Sequence, residues 1–442
     1  MNIPEKEKGI MQKLIDHGFT PYVIGGAVRD SLLGEVPHDW DIFCDATGEE
    51  ILSIFPEGKV LGGEERQAKI LTVVVDGVEV SQFRSNGDRT ETGTSLEEHQ
   101  ATCDLTINSI ACDIEGKLTD PNCGHADLFG APGKSGPTIK FVGNIKDRLQ
   151  EDPLRLLRAI RFCSKYGVSV DLSEVTFEGR QMLIDNIAKE RIRDEFLKII
   201  NYDEGLENLH YCGLLTMIIP MFSKNIGVDG GDNHAEPVHR HQFNAFNEAK
   251  KISNDWRIWL AAFLHDIGKG EAYTKIDGKI QFLQHEIIGY KYVKDWMKEY
   301  KFSEDDIKFV STLIKMHMWG YKEEFSKKTF TKKLQILRDS GVSIYQFLMV
   351  CYCDHQGNEK KIRIKFGDFV NASYLLKNYE VAIKENTPFK ITDLDIDGHI
   401  VMKMGFEGPQ IGKVLNTLFD LVCEGTIDNK RDQLIIEARK LK

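Results

Sequence analysis

Strand-like and helix-like stretches occupy separate parts of this 442-residue chain. Up to about residue 140, short runs of β-branched and aromatic residues predict strands, and Asp76-Gly77 between two of them is typical of a tight hairpin turn. From Asn144 onward the apolar residues follow a helical period, as between Leu154 and Gly167. We therefore expect an α+β protein in which a small mixed sheet is followed by helical domains. The predicted strands are Tyr22 to Ile24, Trp40 to Phe43, Ile70 to Val75 and Val78 to Phe83.

The composition excludes several classes of protein. With 41% hydrophobic and 28% charged residues, the chain has the balance of a folded and not of a disordered protein. Nine scattered cysteines without a C-x-x-C pair favour reduced thiols over disulfides or a zinc knuckle. Apolar runs such as Ile258 to Leu264 are too short to cross a bilayer of about 30 Å, so we expect a cytoplasmic protein without a membrane partner. The net charge of -11 means that local basic patches would have to hold a nucleic acid.

The first candidate site is a glycine turn between a predicted strand and a short predicted helix. Gly25 and Gly26 would let backbone N–H groups approach an anion, and the helix N-terminus adds its dipole. Arg29 would supply charge, so a triphosphate fits here. Turns of this kind are also common without any ligand.

Two carboxylates follow this turn. If Asp39 and Asp41 lie on a strand, their side chains share a face while Trp40 points away. Two carboxylates held together favour a hard divalent cation, although a solvated strand end is the alternative. Glu79, on the strand after the hairpin turn, is a candidate third carboxylate.

Together these segments resemble the head of the class II tRNA nucleotidyltransferases, the family of CCA-adding enzymes and bacterial poly(A) polymerases. The similar segments come in the family's order: Gly25-Gly26-x-Val28-Arg29-Asp30 with Asp39-x-Asp41, Asp104 to Ser109, Asp120-Pro121 with Asp127-Leu128, Glu151 to Phe162, and Arg191 to Glu195. The resemblance implies that Asp39 and Asp41 hold Mg²⁺ for catalysis. It also implies a nucleotide site formed by Gly25, Gly26, Arg29, Asp30, Asp104, Asn108, Asp152, Arg155, Arg158 and Arg161.

The sequence departs from the family just before Asp104. Thr102-Cys103 stands where a basic pair is usual, and Leu105 replaces a phenylalanine. The motif therefore does not say how the primer end or the incoming triphosphate is held at this point.

Asp152 and Arg155 predict how a base could be selected. On a helix, residues at i and i+3 would be neighbours about 5 to 6 Å apart. A carboxylate accepts from the exocyclic amine that cytosine and adenine share, while a guanidinium donates to ring nitrogen and carbonyl acceptors. The pair therefore predicts selection of CTP and ATP without a template, and an ordinary surface ion pair is the alternative.

The second constellation is rich in histidine. His234, His239 and His241 precede the adjacent pair His265-Asp266, and His285, His317 and Asp354 follow it. This order resembles the HD family of metal-dependent phosphohydrolases. The resemblance implies that the metal ligands are His241, His265, Asp266 and Asp354, with His239 competing for the first place, and that His285 and His317 face a second metal or a phosphate. Such ligands suit a divalent transition metal or Mg²⁺, whereas histidines scattered through a core are the alternative.

The resemblance implies four domains: a nucleotidyltransferase head (1–140), a helical neck with the nucleotide-selecting motif (141–205), an HD body (206–367) and a helical, tRNA-binding tail (368–442). The implied reaction is template-independent addition of C and A from CTP and ATP to the 3′ end of tRNA, whose acceptor arm the protein binds. The HD body would add a metal phosphohydrolase activity on RNA ends. The alternatives are a poly(A) polymerase, an HD phosphohydrolase with a nucleotide-binding head, and an RNA chaperone without catalysis.

Overall fold

A mixed sheet and the helices around it fill the first of two units into which the chain divides, Met1–Ile218 and Ile219–Lys442. This computed structural model describes residues 1–61, 71–85, 91–130, 136–321 and 326–442. The predicted head and neck lie in the first unit, together with residues 206–218, which the prediction assigned to the HD body. The finer division into four domains stays a prediction.

Within the described part of the first unit, seven strands form one sheet: β1 Tyr22–Ile24, β2 Ile42–Cys44, β3 Lys59–Val60, β4 Thr72–Val75, β5 Val78–Gln82, β6 Ala111–Cys112 and β7 Leu118–Thr119. Their order is β3-β4-β5-β2-β1-β6-β7. β2 runs parallel to β5, with Ile42 opposite Val80 and Phe43 opposite Ser81, and the other neighbours are antiparallel. A separate parallel pair joins β8 Thr138–Ile139 to β9 Ser169–Val170.

The predicted hairpin is confirmed. Asp76 and Gly77 both have positive φ angles, 50° and 80°, which is the conformation that a two-residue turn between twisted strands requires. The predicted strand before the turn begins at Thr72, and Ile70 lies outside the described residues. The strand predicted from Trp40 begins two residues later, at Ile42.

Helices cover the two faces of the sheet and continue beyond it. They are α1 Glu5–Asp16, α2 Gly26–Leu32, α3 Gly48–Ile54, α4 Leu96–Ala101, α5 Gly124–Phe129, α6 Ile145–Glu151, α7 Arg155–Tyr166, α8 Phe177–Asn186, α9 Lys189–Ile200, α10 Gly205–Tyr211 and α11 Leu215–Ile218. Because side chains alternate along a strand, Ile42 and Val80 pack with α1 and α3 on one face, and Phe43 lies on the other. As predicted, α7 stops at Gly167, which has the left-handed conformation (φ 62°).

In the second unit the described secondary structure is helical apart from one hairpin, β10 Tyr273–Ile276 with β11 Lys279–Phe282. The helices α12, α13, α16 and α18 pack against one another and form its centre. Among the described residues no helix is long and apolar enough to span a membrane. The helices are α12 Val238–Ile252, α13 Trp256–Leu264, α14 Lys269–Ala272, α15 His285–Glu299, α16 Glu304–Met316, α17 Lys327–Asp339, α18 Ile344–Gly357, α19 Phe366–Ala372, α20 Tyr374–Lys384, α21 Gly398–Lys403, α22 Pro409–Glu424 and α23 Arg431–Lys440.

Candidate functional site

A cavity of about 330 Å³ opens where β1 meets α2 in the first unit. It gathers residues from segments that are far apart in the sequence, and polar side chains dominate its wall. The polar and glycine residues that line it are Gly25, Gly26, Arg29, Asp41, Arg84, His99, Thr102, Cys103, Asp104, Asn108, Asp152, Arg155, Arg158 and Arg191.

The glycine turn forms one end of this cavity. β1 ends at Ile24, and Gly25 has φ 93° and ψ -127°, a conformation that residues with a side chain rarely adopt. α2 therefore starts directly after the strand, and both glycines present backbone to the cavity. The turn between strand and helix is therefore as predicted from the sequence, and its binding of an anion stays a prediction.

The Asp-x-Asp segment lies next to this turn. The Asp41 carbonyl accepts a hydrogen bond from the Ile24 N–H at 3.4 Å, so Asp41 continues β2 alongside β1. Asp41 also lines the cavity. Trp40 packs against the core on the opposite face, as the alternation predicted. Asp39 is exposed and is not among the lining residues.

The register of the sheet places Glu79 near Asp41. Ile42 is opposite Val80, and one step back along both parallel strands places Asp41 opposite Glu79 on the same face. Glu79 is itself exposed and does not line the cavity. Among the described residues, the groups of side chains close enough to share one metal ion do not include Asp39, Asp41 and Glu79, so their binding of Mg²⁺ stays a prediction.

A series of hydrogen bonds connects charged and amide side chains that line the cavity. Arg29 donates to the Asn108 side-chain oxygen, the Asn108 amide donates to Asp104 at 3.0 Å, and Arg158 donates to the other Asp104 oxygen at 2.5 Å. Burial alone would raise the pKa of Asp104, but Arg158 and the Asn108 hydrogen bond outweigh burial and hold that pKa below its usual value. These hydrogen bonds join Arg29, Asp104, Asn108 and Arg158 into one site.

The predicted geometry of Asp152 and Arg155 on one helix is wrong. α6 ends at Glu151 and α7 begins at Arg155, and Asp152 between them is extended, with φ -152° and ψ 99°. The turn nevertheless brings both side chains to the cavity. Arg155 donates to Glu151 at 2.6 Å and to the Thr102 carbonyl at 3.2 Å, so its guanidinium is held in place from two sides.

Two predicted nucleotide-binding residues lie away from the cavity lining. Asp30 accepts hydrogen bonds from Arg29 and from the Tyr166 hydroxyl, and so ties α2 to α7. Arg161 donates to Glu195 at 2.9 Å and so ties α7 to α9. Their binding of nucleotide stays a prediction.

The structure adds three lining residues that the sequence prediction did not assign to the site. Arg191 of α9 donates to Asp152 at 2.9 Å, and its place in the segment that resembles the family's neck was the signal for it. Arg84 follows β5 and lies over the Phe43 ring, with 5.3 Å between its guanidinium carbon and the ring centroid. The His99 ring is tilted by 45° against the same ring, with 4.3 Å between the ring centroids, and its Nδ1 accepts the Arg84 backbone N–H at 3.3 Å.

This corner is where Thr102 and Cys103 replace the usual basic pair. Burial raises the pKa of Cys103 to about 12, so the thiol is neutral at physiological pH. Three arginines on other elements provide positive charge near Cys103, because the charges of Arg84, Arg155 and Arg148 all act to lower the pKa of its thiol.

The histidine constellation forms a second site, in the second unit. Two groups of possible ligands are buried there: His241 with His265 and Asp354, and Asp266 with His285 and His317. His241 Nε2 lies 3.0 Å from Asp354 Oδ1 and 3.2 Å from His265 Nε2, and His285 Nε2 lies 3.1 Å from His317 Nε2. Asp266 reaches both groups, with one oxygen 3.2 Å from His265 Nε2 and the other 3.3 Å from His285 Nε2.

The hydrogen-bond partners of the Nδ1 atoms show which way these imidazoles face. The Nδ1 atoms of His265, His285 and His317 each lie 2.7 Å from a backbone carbonyl oxygen, of Ala262, Phe282 and Ile314. A carbonyl only accepts, so each Nδ1 carries the hydrogen and each neutral ring turns the Nε2 lone pair inward. Lone pairs facing one another at about 3 Å repel unless a proton or a metal ion lies between them, and a set of inward-facing imidazoles and carboxylates is one that binds divalent metal.

The charges at this site are consistent with that need. Burial disfavours a charge on His265, but Asp266 and Asp354 outweigh burial and raise the pKa of His265 to about 10. Burial and the neighbouring His265 lower the pKa of His317 to about 3. Despite their burial, the Asp266 and Asp354 carboxyls are held charged by His265, which keeps both pKa values well below the usual range.

His239 lies outside both groups. Its Nδ1 accepts the Gly227 N–H at 3.2 Å, and the cluster contains His241 instead. Lys269, three residues after Asp266, places its ammonium 2.6 Å from an Asp266 oxygen and 3.3 Å from His234 Nε2. Neither His234 nor Lys269 was assigned a role from the sequence.

Comparison with known proteins matches three segments of the chain to protein-family models. Residues 21–130 match a model of the Poly A polymerase head domain, 180–226 a probable RNA and SrmB-binding site of polymerase A, and 238–340 the HD domain. A CCA-adding enzyme of Ligilactobacillus salivarius is 29% identical over 100% of this chain and 98% of its own length. A CC-adding tRNA nucleotidyltransferase of Halalkalibacterium halodurans is 33% identical over 49% of this chain and 55% of its own length. The fold is similar to the crystal structure of the Bacillus stearothermophilus CCA-adding enzyme in complex with CTP, with a TM-score of 0.66 and 20% identity over 100% of this chain and 98% of that chain.

Proposed function

We propose that this chain, which belongs to the class II CCA-adding enzyme family with a head of the Poly A polymerase type and an HD domain, adds C and A nucleotides to tRNA 3′ ends from CTP and ATP without a template. The observation that carries this proposal is the single cavity shared by the glycine turn, Asp41, Asp152 and Arg155. A phosphate-binding turn, a metal-binding carboxylate and a base-reading pair are the parts that template-independent nucleotidyl transfer needs.

The residues of the cavity divide the work between base and phosphates. Asp152 and Arg155 lie at the end formed by α6 and α7, where a carboxylate and a guanidinium can accept from and donate to the Watson–Crick edge of cytosine or adenine. Glu151 and Arg191 hold these two side chains, so the reading edge is preorganised. Gly25 and Gly26 present backbone to the phosphates.

We assign Asp39 and Asp41 as ligands of Mg²⁺, with Glu79 as a candidate third carboxylate. When bound, Mg²⁺ would activate the tRNA 3′ hydroxyl and stabilise the charge on the leaving pyrophosphate oxygens. The carboxylates themselves orient the reacting groups from the end of β2, where they contribute little to packing. The tRNA acceptor arm is the proposed RNA partner, with the tail as its binding surface, and a cytoplasmic location stays a prediction.

In the tail, a glycine turn precedes a helix. Gly405 and Gly408 both have positive φ, and α22 begins directly after them. Lysines of α17 face the C-terminal half of α22 and carry less free charge than their number indicates, because Lys327 pairs with Glu385, Lys328 with Glu424 and Lys332 with Asp420. Backbone amides at the turn are therefore the better candidates for holding an RNA phosphate.

Incubation of the protein with a tRNA that lacks its last three nucleotides, and with one labelled NTP at a time, tests this function. Incorporation of C, followed by A once C is present, supports CCA addition. Incorporation of C alone would favour the CC-adding activity carried in the name of the H. halodurans relative. Long A-tails from ATP alone would favour a poly(A) polymerase.

A second activity is favoured by the histidine site. We propose that it binds a divalent transition metal or Mg²⁺ through His241, His265, Asp266 and Asp354, with His285 and His317 beside a second metal or a phosphate, and hydrolyses phosphate groups on RNA ends. Nucleotidyl transfer needs a free 3′ hydroxyl, and a 2′,3′-cyclic phosphate offers none. Attack of water on the phosphorus with cleavage of its bond to the 3′ oxygen would leave a 2′-phosphate and a free 3′ hydroxyl, which is the nucleophile that the first site needs.

A further inference from the structure

Glu236 is a buried carboxylate directly before α12, and the proposed chemistry does not yet use it. Only 4% of its surface is exposed, and its two oxygens accept four hydrogen bonds. One oxygen lies 3.0 Å from His241 Nδ1 and 3.2 Å from His234 Nδ1. The other accepts the backbone N–H groups of Ala235 at 3.1 Å and Glu359 at 3.2 Å.

Glu236 could in principle be a metal ligand itself, because it lies within ligand distance of His234 and His241. The hydrogen bonds argue against this. An ionised carboxylate only accepts, so the Nδ1 atoms of both histidines carry hydrogen and cannot bind a metal on that side. With four donors around its two oxygens, Glu236 has no lone pair directed at an open position.

We infer that Glu236 is a positioning residue of the metal site proposed above: it holds His241 in the tautomer and orientation in which Nε2 faces His265 and Asp354. The other three inward-facing imidazoles obtain the same orientation from backbone carbonyls, so His241 alone among these four depends on a side chain. A charged acceptor also makes the ring a stronger electron donor than a carbonyl does.

Glu236 also connects the two elements that carry ligands of the same group. Its hydrogen bond from Glu359 ties the segment before α12 to the residues just after α18, the helix that carries Asp354. Glu236 therefore adds to the packing of α12 against α18 that brings His241 Nε2 to 3.0 Å from Asp354 Oδ1.

Metal binding by the full-length, metal-stripped protein tests this role. We would titrate Mn²⁺ by calorimetry into the wild type, Glu236→Gln, Glu236→Asp and the control Glu359→Gln, which removes a neighbouring exposed carboxylate but keeps the backbone N–H that Glu236 accepts. We expect Glu236→Gln to bind Mn²⁺ about 10- to 100-fold more weakly, the loss typical of such supporting groups, and Glu359→Gln to bind as the wild type does. Glu236→Asp restores the charge and should bind more tightly than Glu236→Gln.

The visible spectrum of the Co²⁺-loaded proteins gives a second readout, because it reports ligand geometry and not stability. A changed spectrum in Glu236→Gln with an unchanged one in Glu359→Gln supports the inference. Equal Mn²⁺ affinity and equal Co²⁺ spectra in the wild type and Glu236→Gln would overturn it and leave the metal site standing. If Glu236→Gln and Glu236→Asp bind Mn²⁺ equally weakly and have equally lowered melting temperatures, Glu236 has only a packing role. If the wild type takes up no metal, the proposed metal site itself is wrong.

Discussion

Replacement of Arg155 by alanine should change base selection and stability by amounts that the structure allows us to separate. The Arg155 side chain is 7% exposed and donates to Glu151 and to the Thr102 carbonyl. Loss of a guanidinium that reads a base edge costs about 1 to 3 kcal/mol of discrimination, which is about 5- to 150-fold in relative kcat/KM. Loss of its charge-assisted hydrogen bonds should lower the free energy of unfolding by about 1.5 to 3 kcal/mol.

Arg148 offers a matched control. It pairs with the same Glu151 at 2.5 Å and donates to the Ala101 carbonyl at 2.8 Å, yet it does not line the cavity. Arg148→Ala should therefore lose comparable stability in urea unfolding and keep its preference for CTP and ATP over UTP and GTP. The measurement is kcat/KM for each of the four NTPs on a tRNA that lacks its 3′ end. Retained selectivity in Arg155→Ala, or equal loss in both variants, would refute the base-reading role.

Four further predictions concern the two sites. Asp41→Ala should abolish nucleotide addition and leave thermal unfolding unchanged. Near-normal incorporation by the folded variant would contradict the assignment of Asp41 as a ligand of Mg²⁺. Arg84→Ala should raise KM for CTP about tenfold or more, because a cation that lines the cavity and could bind the nucleotide is lost, and an unchanged KM counts against such a contact. The pKa of Asp104 in the folded state lies below its unfolded value of about 3.9. The stabilisation that the Asp104 carboxylate provides is therefore present above about pH 3.9 and is lost as the pH falls through the folded-state pKa. The wild type and Asp104→Asn should accordingly converge in free energy of unfolding in acid. Asp266→Ala should remove hydrolysis of a 2′,3′-cyclic phosphate RNA end, assayed with Ni²⁺, Mn²⁺, Co²⁺ and Mg²⁺, yet leave CTP and ATP incorporation into unblocked tRNA nearly unchanged.

The sequence predicted the local structure of the first site well where the signal was short-range. Gly25 must take a positive φ for α2 to follow β1 directly, and Asp76-Gly77 must form a turn, because few other residues adopt those conformations. Alternation along β2 was enough to separate Trp40 from Asp41. The interruption between Glu151 and Arg155 was missed although Pro153 marks it in the sequence, because a proline disfavours the helical conformation of the residue before it, here Asp152.

Contacts between distant segments were beyond the sequence. Arg191 reaches Asp152 across 39 positions, and Arg84 and His99 share the Phe43 ring, yet none of these pairs is marked by spacing. The hydrogen bond from Arg161 to Glu195, 34 positions away, is likewise not marked by spacing.

Residue types and their local spacing determined which chemistry this chain can perform: carboxylates after a glycine turn, a His-Asp pair among distant histidines, and a change from strand to helical period. Those properties are set by backbone stereochemistry and by the functional groups themselves, which act over a few residues. Only the tertiary structure decided that His241 and not His239 joins the cluster, and that Glu236 accepts its Nδ1 hydrogen. Hydrogen bonds and electrostatic effects depend on distances of about 3 Å between side chains, and packing alone brings residues 113 positions apart, such as His241 and Asp354, to that range.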